Sequence, residues 1–129
     1  MKQITLALIF GAVLLTGCST AAPILTTTQT LDTRKQVNTR DMQSAIHQSL
    51  VRYGWKMDSD DGRTIMAHYN KQDRHIARIR IDYSAQQFSI RHESSEGLGY
   101  NSRRHTIHRN YNRWVQNLDN DIQSRLSFM

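Results

Sequence analysis

A single cysteine, Cys18, serves the whole 129-residue chain, and no apolar run reaches the length of a membrane span. One thiol closes no intrachain disulfide and supplies no thiolate cluster for a structural zinc site. The longest apolar stretch, Ile4 to Leu15, falls short of the about 20 residues that cross hydrocarbon as a helix. The marks of a phosphate loop are missing as well. Gly97-x-Gly99 lacks the glycine spacing and the lysine of such a loop, and reads as two flexible positions in a connection. Acidic residues are outnumbered, eleven against seventeen Lys and Arg, which gives a net charge of +6 and favours acidic partners.

What is present begins at the amino terminus. Lys2, the short apolar stretch and the small residues before Cys18 have the layout of a secretory signal. The tetrapeptide Leu15-Thr16-Gly17-Cys18 resembles the lipobox of bacterial lipoproteins. That resemblance implies that residues 1–17 are a cleaved signal peptide and that Cys18 carries a diacylglyceryl thioether with an acylated amino terminus. Several acyl chains anchor a protein at about 0.8 kcal/mol per buried methylene. Ser19 stands where an aspartate would resemble an inner-membrane retention signal, so the expected destination is the outer membrane, facing the periplasm. An ordinary secreted protein with a cysteine near its cleavage point is the other reading. Loss of Lys2 leaves sixteen basic side chains against eleven acidic ones, a mature charge of +5. In the periplasm the acidic partners are phospholipid head groups, lipid A phosphates, protein patches and wall polymers, and nucleic acid is excluded.

Residues 18–40 are expected to form an acylated, flexible tether. The run is rich in Thr, Ala and Gln, lacks aromatics and holds the only proline, Pro23. A flexible chain of this length spans roughly 25 Å, and roughly 75 Å when extended. Residues 41–129 are expected to be the folded domain.

Met42, Ala45, Ile46, Leu50 and Tyr53 recur at helical spacing, with Asn38 or Thr39 as a cap and Gly54 as a stop. Trp55 to Met57 reads as a short strand, Ser59 to Gly62 as a turn and Thr64 to Tyr69 as a second strand. The third strand is the clearest. His75, Ala77, Ile79, Ile81 and Tyr83 fall on one face, and Arg78, Arg80 and Asp82 on the other. Phe88, Ile90 and His92 repeat the alternation against Ser89, Arg91 and Glu93, giving one dry and one wet face. A loop from Ser94 to Asn101 leads to a long helix with the stripe Ile107, Tyr111, Trp114, Val115, Leu118, Ile122 and Leu126. The order α-β-β-β(-β)-α predicts an α+β, two-layer sandwich. An antiparallel meander of three to four strands carries an N-terminal and a long C-terminal helix on one face.

Gly54-Trp55, Ser95-x-x-Leu98-x-Tyr100 and Ile107-His108-x-x-Tyr111-Asn112-x-Trp114 resemble motifs of a family of small, uncharacterised lipoproteins of Gram-negative bacteria. The resemblance covers about residues 41 to 126. It implies an envelope location and a small α+β domain, and carries over no catalytic residue.

No metal site or cofactor is expected. The six histidines fit no metal-ligand spacing, and a structural role is the expectation for them. Ser94 and Ser95 lie near His92, Glu93 and Glu96, so a Ser-His-Glu grouping can be written. His92 and Glu93, however, point to opposite faces of one strand, and no enzyme is expected. Arg78, Arg80 and Arg91 project from adjacent strands on the wet face. They are either a clamp for a carboxylate or phosphate or solvated charges offset by Asp82 and Glu93. Arg103, Arg104, Arg109 and Arg113 form a second basic cluster whose charge opposes the dipole of the last helix. Leu98 and Tyr100 are either an apolar contact tip or a plug folded over the sheet end.

The expected function is that of a non-catalytic binding or accessory module for an envelope protein complex, anchored by its lipid to the membrane. Its partner is an envelope protein with an acidic surface, met by Arg78, Arg80, Arg91 and the segment with Leu98, Tyr100, Arg103 and Arg104. The alternative is a binder of anionic lipid or glycolipid phosphates. Protonation of all six histidines would raise the mature charge from +5 to +11, so binding is expected to tighten from about pH 7 to about pH 5.

Overall fold

A computed structural model describes residues 20–129, so the expected signal peptide 1–17 and the expected acylation of Cys18 lie outside the described residues. The elements run β1 (Ala21–Pro23), β2 (Thr27–Thr30), α1 (Thr39–Arg52), β3 (Lys56–Asp60), β4 (Thr64–Lys71), β5 (His75–Tyr83), β6 (Gln87–Glu96), β7 (Thr106–His108) and α2 (Arg109–Ser127). Among the described residues they form a five-stranded antiparallel sheet in the order β2-β6-β5-β4-β3 and a separate β1-β7 ribbon.

Local chemistry sets the ends of α1. Asn38 Oδ1 accepts from the Asp41 N–H at 2.8 Å while the Asp41 carboxylate reaches back to the Asn38 N–H, a reciprocal cap of about 1 kcal/mol. At the other end Gly54 takes a left-handed φ of +77°. The Trp55 N–H then donates to the Leu50 carbonyl at 2.9 Å and the Gly54 N–H to that of Val51 at 3.2 Å. His108 caps α2, its Nδ1 accepting from the Asn110 N–H at 3.1 Å.

Both helices bury their apolar stripes against one face of the sheet. Met42, Ala45, Ile46 and Leu50 of α1 and Tyr111, Val115, Leu118, Ile122 and Leu126 of α2 share one core with Ile65, Ala77, Ile79, Ile81, Phe88 and Ile90. The expected α+β architecture, with N- and C-terminal helices packed on a sheet, is the observed one. Ile107 belongs to β7 rather than to the helix.

The tether expectation is corrected. Residues 20–31 are built into the fold: Thr27 to Thr30 pair with Ile90 to Gln87 at the edge of the sheet, and Ala21 to Pro23 pair with His108 to Thr106. Threonine is β-branched and suits a pleated edge. Thr27 and Gln29 face inward while Thr28 and Thr30 face solvent. Side chains from α2 hold the segment down. Asn112 accepts from the Leu25 N–H at 2.9 Å and donates to the Pro23 carbonyl at 2.8 Å, and Gln29 donates to the buried Asp119 at 3.1 Å.

The expected loop at Ser94 is also corrected, because β6 continues to Glu96. Arg78 pairs with Ser94 and Ile79 with His92, so Glu93 is the extra residue of a β-bulge. The bulge keeps His92 on the dry face and returns Ser94 to the side of Arg78.

Candidate functional site

The helices cover only one side of the sheet, and the opposite face carries Arg78 and Arg80 from β5 and Arg91 from β6. Arg80 and Arg91 are direct cross-strand partners. Like charges so placed repel. Asp82 relieves this, because its Oδ1 accepts from Arg80 Nε at 3.1 Å and from Thr64 Oγ1 at 2.8 Å, while its Oδ2 accepts from Arg91 Nη2 at 2.6 Å. Partial burial opposes ionisation of Asp82, yet the hydrogen bonds from Thr64, Arg80 and Arg91 hold its carboxyl below the usual range. Arg78 donates to Glu96 at 3.0 Å. The three arginines thus lie together, as expected, but each is engaged by a carboxylate of its own sheet. Half-exposed pairs of this kind contribute about 0–1 kcal/mol each.

The second basic group is differently placed. Arg103 and Arg104 sit on the exposed turn before β7, where Asn101 Oδ1 accepts both of their backbone N–H groups at 3.0 Å. Arg109 and Arg113 are exposed on the first turns of α2. Among the described residues, no carboxylate comes within ion-pair distance of these four.

Leu98 is removed from the contact surface. It is 3% exposed within the core, and its carbonyl accepts from the His108 N–H at 2.8 Å. The chain between two left-handed glycines, Gly97 and Gly99, turns this side chain inward. Tyr100 remains 43% exposed, with its ring 4.3 Å from the His92 ring.

His92 Nε2 lies 2.9 Å from Ser95 Oγ, so the bulge does bring the two residues of the writable Ser-His-Glu grouping together. The third member is missing from the geometry. Glu93 is exposed and Glu96 is bonded to Arg78, and neither is hydrogen-bonded to His92. The ring packs between Tyr100 and Tyr111, and burial lowers its pKa against the opposing pull of Glu93. The pair therefore lacks the orienting carboxylate of a working triad.

Compared with protein-family models and with curated proteins, the chain gives no match.

One constellation was not legible beforehand. The side chain of Asp60, at the end of β3, is 7% exposed, and its Oδ2 lies 2.6 Å from His47 Nε2 and 2.8 Å from Gln43 Nε2. Its Oδ1 accepts from the Tyr83 hydroxyl at 2.7 Å and from the Gly62 N–H at 2.9 Å. Burial opposes the charge, but the bonds from Tyr83, Gly62, Gln43 and His47 outweigh it and bring the pKa down to about 2. Burial beside this carboxylate pushes the Tyr83 hydroxyl up to about 12. Asp60 joins α1, the β3-β4 turn and the end of β5, and this is a structural clasp. In the sequence, Ser59-Asp60-Asp61-Gly62 carries only turn chemistry.

The remaining histidines are also engaged or exposed. His68 bonds Asp58 at 2.8 Å, His75 bonds the Gly97 carbonyl at 2.8 Å, and His105 is exposed with a φ of +53°. Among the described residues no three His, Cys, Asp or Glu side chains converge as metal ligands, and no helix is long and apolar enough to cross a membrane.

Proposed function

We propose that the protein is an outer-membrane lipoprotein facing the periplasm, whose domain acts as a non-catalytic binding or accessory module for an envelope protein complex. The observation that carries this reading is the open face of the five-stranded sheet, with Arg78, Arg80 and Arg91 in register across β5 and β6. A guanidinium has five donor hydrogens, and Asp82 takes one bond each from Arg80 and Arg91. All three side chains are about half-exposed, so their unused donors are accessible to the carboxylates of an acidic protein patch.

The lipobox-like tetrapeptide supports the anchor, and the resemblance to small Gram-negative lipoproteins supports the envelope setting. Many of the residues behind that resemblance pack the core. Trp55, Leu98, Ile107 and Tyr111 are all buried, which suits a shared fold rather than a shared reaction.

Crosslinking in living cells, followed by purification of the lipidated protein and mass spectrometry, tests the reading. A near-stoichiometric partner that disappears when Arg78, Arg80 and Arg91 are all replaced by Ala is the expected result. Unchanged association and an unchanged envelope phenotype in that variant would overturn it.

A further inference from the structure

We propose that the β1-β7 ribbon, its turn and the first two turns of α2 form a membrane-seating surface that binds phospholipid head-group phosphates beside the lipid anchor. This inference rests on the lipoprotein reading above and adds to it the surface that meets the membrane. The path of the chain is the first argument. Thr20 stands two residues after Cys18, and its carbonyl accepts from the Arg109 N–H at 2.8 Å. Two residues of chain reach at most about 7 Å. An acylated Cys18 therefore holds the start of α2 at the head groups, with no slack for the domain to stand away.

Charge is the second argument. No acidic residue occurs from Gly97 to Leu118 or from Thr20 to Leu31, the two segments that make the ribbon and its surroundings. Within them lie Arg103, Arg104, Arg109 and Arg113, all exposed and without an ion-pair partner among the described residues. The ribbon is three residues long, about 10 Å, and Arg113 lies about 6 Å along α2 from Arg109. All four thus lie within about one to two screening lengths of the anchored end at physiological salt.

The fold itself gives these charges no return. Arg109 and Arg113 sit at the positive end of the α2 dipole, where cations are unfavourable. The contrast with the sheet face is informative, because there every arginine has a carboxylate. A negatively charged surface supplied from outside is what the ribbon end lacks, and the anchor brings one to it.

The test uses the full lipidated chain, in which a thioether at Cys18 leaves no reactive thiol. A cysteine introduced as Ser102→Cys on the ribbon turn, or as Ser59→Cys on β3, then carries the only fluorescent reporter. The protein is placed in vesicles of phosphatidylethanolamine with phosphatidylglycerol, and in vesicles of phosphatidylcholine alone. The expected result is a Ser102→Cys reporter shielded from an aqueous quencher only on the anionic vesicles, with added salt abolishing the shielding and the Ser59→Cys reporter exposed throughout. Replacing Arg104 or Arg113 by Ala should reduce the seated-to-unseated ratio about five-fold each at low salt. A Ser102→Cys reporter equally wet on both vesicles, with Cys18 acylated, would overturn the seating and leave the anchor standing. A wild-type chain that takes the label at Cys18 is not acylated, and then both readings fall.

Discussion

Replacing Leu98 by Ala separates a core plug from a contact tip. Leu98 is 3% exposed and packs with the core, so truncation removes about three methylene equivalents from an apolar site and leaves a cavity. Such changes cost about 2–4 kcal/mol, the larger figure where the surroundings cannot collapse. Collapse is restricted at this site, because the backbone on both sides is held by Gly97 and by the bond from His108 to the Leu98 carbonyl. For a domain of this size each kcal/mol lowers the melting temperature by about 4–6 °C, so a fall of about 10–20 °C follows. Urea unfolding followed by the fluorescence of buried Trp55 reads the same loss as a lower midpoint with an unchanged slope. Tyr100→Ala should cost less, about 0.5–1.5 kcal/mol, because its ring loses mainly the stack on His92. A Leu98→Ala protein within about 0.5 kcal/mol of wild type, or a larger loss for Tyr100→Ala, would refute the reasoning.

Two further outcomes follow from the same geometry. Gly97 has a φ of +71°, and a Cβ there would lie 1.9 Å from the Arg74 carbonyl oxygen, whereas Gly99 has a φ of +60° and open space. Gly99→Ala should therefore cost only the left-handed penalty of about 1 kcal/mol, and Gly97→Ala at least twice that, as thermal unfolding of the two variants will show. Asp60, with its pKa held at about 2 against an ordinary 3.8, binds its proton more weakly in the folded state than in the unfolded one. Its contribution, about 2 kcal/mol, is complete above about pH 4 and is lost as pH falls through about 2. Asp60→Asn should flatten the acid limb of stability in that window, and an unchanged slope would show that the clasp does not govern it.

The core was legible because its periods are clean. The alternation of β5 and the stripe of α2 are each long enough to specify a face, and the structure buries Ala77, Ile79, Ile81 and Tyr83 of the one and Tyr111, Val115, Leu118, Ile122 and Leu126 of the other, with His75 and Trp114 half-buried at the margins. The first strands were not legible, since a run of Thr, Ala and Gln has the composition of a linker and no apolar alternation to oppose it. Their order comes from partners distant in sequence. Asn112 and Asp119, both on α2, receive or donate the bonds that hold Leu25, Pro23 and Gln29. The bulge at Glu93 was hidden for a related reason, because an inserted residue is visible only in the register against β5. The arginines of the sheet face lie where the alternation places them and Asp82 offsets two of them as expected, but Glu93, the other expected partner, is the exposed bulge residue, and Glu96 engages Arg78 instead.

The histidines show how far composition can mislead about charge. A rise of six positive charges on acidification assumes six imidazoles free to face a partner. His47 and His68 instead face Asp60 and Asp58, so a proton on either is matched by a carboxylate of the same domain. His92 is packed between two tyrosines, and burial favours its neutral form, so protonation below its ordinary value of 6.5 costs folding stability instead of adding a surface charge. His75 donates to the Gly97 carbonyl, and His108 accepts the Asn110 N–H at the cap of α2. Among the histidines of the described residues only His105 is exposed, and it lies on the ribbon turn beside Arg103 and Arg104. Any gain in affinity on acidification should therefore concentrate at the ribbon end. Its size is set by one histidine next to the uncompensated arginines, and the balanced sheet face should respond little.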